Sequence, residues 1–172
     1  MIKILLCLVV VIFSGLAGWS KASVYTRRVR ALTDLTANLK YLESEMGYRM
    51  EALPVLFARI GENRRESGGA FFTETARLLE TREADTLWSA WVQSVDQVYG
   101  ADVLLPEDRR IIEELGYELG RTDMETQRRL FSHCYEGLAR QADAAREQAR
   151  VRGRMYRTLG ISAGILTAIL FI

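Results

Sequence analysis

The stretch LTDLTANLKYLESEM, Leu32–Met46, decides the fold. Leu32, Leu35, Leu39, Leu42 and Met46 recur at three- and four-residue steps, the spacing that lines one face of an α-helix. Asp34, Lys40, Glu43 and Glu45 take the other faces. Such a stripe needs other stripes to cover it, and the downstream sequence supplies them. Pro54 precedes VLFARI and Pro106 precedes EDRRII, each at a helix start, where the missing proline N–H costs nothing. Glu107 and Asp108 then lie in a first turn, facing the positive end of the helix dipole. Phe71, Phe72, Leu78 and Leu79 mark a third helix that breaks near Asp85. Leu87, Trp88, Trp91, Val92, Val95 and Val98 line a fourth ending at Gly100, with both tryptophans read as core. Ile111, Ile112, Leu115 and Leu119 carry a fifth ending at Gly120. Thr122 and Glu125 have the spacing of a capping box, opening a long sixth helix with Leu130, Phe131, Cys134, Leu138 and Ala142 inward. Gly61–Gly69, GENRRESGG, is the clearest loop. No segment alternates with β-branched enrichment, so the fold class predicted is all-α, a six-helix bundle.

Working outward, both ends of the chain change character. Ile4–Trp19, ILLCLVVVIFSGLAGW, carries no charge, and neither does TLGISAGILTAILFI, Thr158–Ile172. As helices these runs reach roughly 24 and 22 Å, short of a ~30 Å hydrocarbon core until Ile2, Lys3, Met155, Tyr156 and Arg157 extend them. Lys3 and Arg157 have stems long enough to snorkel, and Trp19 and Tyr156 carry interfacial rings. Each run adjoins a basic collar without acids: Lys21, Arg27, Arg28 and Arg30 after the first, and Arg150, Arg152, Arg154 and Arg157 at the second. All 22 acids lie between Asp34 and Glu147 against 14 basic residues, so an acidic body of net −8 sits between two basic collars. The organisation predicted is an N-terminal transmembrane segment (1–20), a cytoplasmic helical bundle (21–154) and a C-terminal transmembrane segment (155–172). The sixth helix is expected to enter the bilayer, with Gly153 or Gly160 as the place for a kink. Positive charge on the inner flank of both segments keeps the body in the cytoplasm, and anionic headgroups add roughly 1 kcal/mol per nearby base. The membrane-interface residues are thus Lys3, Trp19, Lys21, Arg27, Arg28, Arg150, Arg152, Arg154, Tyr156 and Arg157. A second reading treats the first run as a cleaved signal peptide, with small residues at Gly15, Ala17 and Gly18, and the body as an exported helical binding module.

The residues offer little for catalysis. His133 and Cys134 are neighbours, pointing about 100° apart on a helix, and cannot chelate together. There is no CxxC, HExxH, GxSxG or phosphate-cradling glycine loop. Cys7 and Cys134 lie in different segments and read as small apolar fillers. Gly116 and Gly120, four apart, give a flat patch suited to close helix packing. A net charge of +1 for the whole chain and −8 for the body disfavours nucleic acid and favours a partner with a basic surface. The chain is predicted to be no enzyme and to take no cofactor, metal or small-molecule substrate.

Four stretches together resemble the stage III sporulation protein AB family: LTANLKYLESEMGYRMEALPVLFARI (Leu35–Ile60), FFTETARLLE (Phe71–Glu80), LGYELGRTDMETQ (Leu115–Gln127) and MYRTLGISAGILTAILFI (Met155–Ile172). The LGxxLGxxDxExQ pattern, on Leu115, Gly116, Leu119, Gly120, Asp123, Glu125 and Gln127, is the most specific. The resemblance implies a membrane component of the secretion-like channel complex between mother cell and forespore. It places the chain in the mother-cell membrane beside other stage III sporulation proteins, notably the AA ATPase, with a layout similar to the cytoplasmic domains of the type II secretion platform protein F. On this reading the partner-binding surface includes Glu43, Glu45, Tyr48, Asp123 and Gln127, and the scaffold can form a homo-oligomer.

Overall fold

In a computed structural model of the chain, the described backbone comprises residues 2–48, 51–65 and 68–171; side chains are described for 23–48, 51–65, 68–100, 102–155, 158 and 162. The described backbone is all-helical, without strands: α1 (Ile2–Tyr48), α2 (Leu53–Asn63), α3 (Ala70–Glu80), α4 (Leu87–Val103), α5 (Pro106–Glu118) and α6 (Met124–Phe171). Two compact units are present. One comprises Met1–Val29 with Asp143–Ile172, the other Arg30–Ala142. Both terminal apolar runs are helical, within α1 and α6, but the side chains that would decide membrane crossing lie largely outside the described residues. Among the described residues no helix is long and apolar enough to cross a membrane.

The larger unit is built on the stripe that opened the sequence. Leu32, Leu35, Leu39 and Leu42 are all completely buried, each contributing about 1.5–3 kcal/mol of apolar burial. The chain then packs as successive neighbours, α2 on α3, α3 on α4 and α4 on α5. An aromatic cluster fills their junction: Phe71 and Phe72 meet edge-on at 5.0 Å, and Phe71 meets Trp91 edge-on at 4.6 Å. Phe57 joins both Phe72 and Trp91 at 5.8 Å. The Trp91 indole N–H donates to the Ile112 carbonyl at 2.9 Å, satisfying the cluster's buried polar atom. Close backbone approach makes room for it, because a Cβ on Gly116 would stand 2.3 Å from the Trp91 ring. Gly116 is therefore a packing residue, but it does not share a flat helix face with Gly120, which lies beyond α5 in a left-handed turn (φ 78°).

Several local expectations shift. Trp88, expected in the core, is 44% exposed. Gly61, Glu62 and Asn63 belong to α2 rather than to the loop, since Gly61 is buried where Thr73 of α3 comes within 2.2 Å of its would-be Cβ. The cap of α6 is Asp123, whose carboxylate accepts from Thr126 N–H at 3.3 Å; the Thr122 hydroxyl is buried without a partner, and Glu125 pairs with Arg129 instead. Asp123 lies one residue after Thr122, and the left-handed turn at Gly120 (φ 78°) sets which of them reaches the first turn. Gly100 (φ 59°, ψ 176°) interrupts α4, close to the expected end, and Arg109 of α5 donates to its carbonyl while pairing with Asp96. Asp108, fully buried, accepts from Leu105 N–H at 2.9 Å and so closes the start of α5. No break is found in α6 at Gly153 or Gly160.

Candidate functional site

The C-terminal end of α1 and the first turns of α6 enclose a cleft of ≈ 420 Å³. Glu43, Glu45 and Tyr48 enter from α1, and Met124, Gln127 and Arg128 from α6. Helical geometry explains the grouping: Leu42 and Phe131 are buried on the inner faces of their helices, and Tyr135 of α6 bonds Glu43 of α1, which leaves the adjoining polar faces as walls. Four of the five residues expected at a partner surface line this one cleft, and the fifth, Asp123, stands at its edge as the α6 cap.

Their electrostatic roles differ. Glu43 accepts from the Tyr135 phenol at 2.8 Å. Burial, reinforced by that carboxylate, pushes the phenol well above the ordinary tyrosine range, so it stays a donor at any physiological pH. Lys40 lies 5.5 Å from the centre of the same ring. Glu45 pairs with Arg59 at 3.4 Å, and Arg59 also holds Glu51 at 2.8 Å, which raises the guanidinium's pKa further. Gln127 is nearly buried, whereas Tyr48 is 89% exposed. The Thr126 hydrogen bond holds Asp123 below the usual carboxylate range. Glu45 and Asp123 therefore have structural duties, and Glu43 is half committed. Tyr48 has the most open side chain of the set. Sequence reasoning missed Lys40, Arg128 and Met124 as cleft residues; the signal available was their position beside Glu43 and Gln127 at helical spacing.

The basic collars are only partly described. Arg27, Arg150, Arg152 and Arg154 are exposed, and Arg150 pairs with Glu147 at 3.0 Å. Arg28 is 7% exposed and donates to Gln148 on α6 at 3.4 Å, so it joins the two helices of the smaller unit rather than projecting outward. The side chains of Lys3, Trp19, Lys21, Tyr156 and Arg157 lie outside the described residues.

Cys134 is buried, its thiol pushed up to about 12 by that burial, and the neighbouring His133 is exposed. Both border a groove of ≈ 190 Å³ between α5 and α6, but a protonated thiol is a poor nucleophile. Among the described residues no three His, Cys, Asp or Glu are placed to hold a metal ion.

Comparison with known proteins places the chain in a family. A family model for stage III sporulation protein AB matches residues 3–172. A protein of that name from Bacillus subtilis (strain 168) is 28% identical over 171 residues, 99% of each chain. A solved structure of stage III sporulation protein AB, 24% identical, shares the fold with a TM-score of 0.62, covering 73% of this chain and 98% of the other. With its match running from residue 3 to the last, the chain belongs to the stage III sporulation protein AB family.

Proposed function

We propose that the chain is a non-enzymatic membrane scaffold of the secretion-like complex built during sporulation, between mother cell and forespore. Its two terminal apolar runs cross the mother-cell membrane. The helical unit stands in the cytoplasm, where the α1–α6 cleft docks a protein partner, the AA ATPase of the same system. The family match supports a sporulation role, and the uncharged runs flanked by basic collars support the anchor. The observation that carries the docking reading is the convergence of Glu43, Tyr48 and Gln127 on one open cleft.

Orientation is tested with Arg65→Cys, an exposed loop position, in a Cys7→Ser, Cys134→Ala background. A membrane-impermeant maleimide should label it only after cells are permeabilised; labelling of intact cells would sink the scaffold reading. Docking is tested at Tyr48, because reversing Glu45 would also break its pair with Arg59. Tyr48→Ala should weaken recovery of the ATPase by roughly ten-fold, the loss typical of a single anchoring aromatic, with the helical circular-dichroism signal unchanged.

A further inference from the structure

A second surface lies away from that cleft, on α4 and α5. Trp88 and Tyr117 are 44% and 49% exposed, and their rings meet at 6.3 Å and 89°, forming an open aromatic corner. The shallow groove they line is ≈ 560 Å³ and is rimmed by Arg110, Glu113 and Glu114. Two large rings at the surface of a small helical unit are costly to leave in water, and neither is needed by the core, which Trp91 already fills. The chain itself shows what such rings bind. Arg121 sits over Tyr117 with its guanidinium carbon 4.4 Å from the ring centre. Trp88 has the stronger π face and carries no cation among the described residues. Among the described residues Glu113 and Glu114 make no ion pair, and they line the same groove as the open indole.

We infer that this corner is a second docking site, which takes an arginine or lysine side chain of a partner protein between the Trp88 indole and the Glu113/Glu114 carboxylates. A cation placed there gains the ring quadrupole and a carboxylate at once, and the net −8 of the body draws basic segments toward it. Trp, Tyr and Arg together are also the composition of interface hot spots. The site is independent of the α1–α6 cleft and of any membrane role.

The test uses the full chain in uncharged detergent and a fluorescein-labelled tetra-arginine amide, followed by anisotropy at 150 mM salt. Trp88→Ala should weaken binding about five-fold, Trp88→Phe less, and the double variant Glu113→Gln, Glu114→Gln by a similar factor to the alanine. A tetra-glutamate peptide should not bind. Titrations of wild type and Trp88→Ala that superimpose would overturn the site and mark the attraction as diffuse charge. If Trp88→Ala loses helical signal, the carboxylate variant and Trp88→Phe decide alone, and binding unchanged in both overturns it equally. If Arg110 fills the corner from within the chain, Arg110→Ala should tighten binding of the peptide several-fold in wild type but not with Trp88→Ala.

Discussion

Gly116 shows how much one missing methyl group can carry. Its Cα lies under the Trp91 indole, and a Cβ would reach 2.3 Å from Cδ1 and 2.6 Å from Cγ. Trp91 cannot retreat, since Phe57, Phe71 and Phe72 surround it and its N–H is bonded to Ile112. Gly116→Ala should therefore destabilise the protein by about 1–3 kcal/mol, measured by urea denaturation, without changing helix content at low denaturant. Asp123 gives a pH-dependent counterpart. Its native pKa is depressed, so its stabilising contribution is present above the unfolded value and is lost as pH falls through the lower folded one. Asp123→Ala should lower the melting temperature at pH 7, and the gap to wild type should begin to narrow below the unfolded value near pH ~4 and close only as pH falls through the depressed folded value, where the wild-type cap becomes protonated. Both residues belong to the LGxxLGxxDxExQ pattern, which this fold turns into physical terms. Leu115 and Leu119 are buried, Gly116 admits an indole, Gly120 makes the left-handed turn, Asp123 caps the next helix and Gln127 lies in the cleft wall.

At the scale of elements, the ends of helices decide more than their middles. The start of α5 is fixed by Pro106 and by the buried Asp108 carboxylate on Leu105 N–H. Asp108→Ala should cost about 1–2 kcal/mol through loss of that cap, while Glu107→Ala, exposed in the same turn, should cost little; thermal melts of the two variants check the contrast. The apolar stripes were legible because a period near 3.6 leaves one arrangement for Leu32, Leu35, Leu39 and Leu42. Trp88 was misread for a related reason: residues three apart differ by about 60° around a helix, so one can face inward while the other stands at the edge. Only the glycine on α5 tells which of the two tryptophans goes in, and that contact is 25 residues away in sequence. The Thr122/Asp123 cap was ambiguous because both residue types cap well and stand side by side. Within the cleft, Glu43, Tyr48 and Gln127 could be picked from the stretches that carry the family resemblance. Their meeting depends on α1 and α6 coming together at Glu43 and Tyr135, and no local spacing encodes that.

Seen as a whole molecule, the chain divides its charge and its hydrophobicity between separate stretches, and the fold keeps that division: the acidic residues belong almost entirely to the unit Arg30–Ala142. In sequence, that unit begins within α1 and ends within α6, and its exposed loop near Arg65 lies after α2 and before α3. A protease that cut the loop would therefore leave two fragments, the shorter keeping α1 and the longer keeping α6. Each fragment would keep one terminal apolar run, so under the proposed anchoring a nick in this loop alone would release neither half from the membrane, and a second cut would be needed to free a piece of the unit.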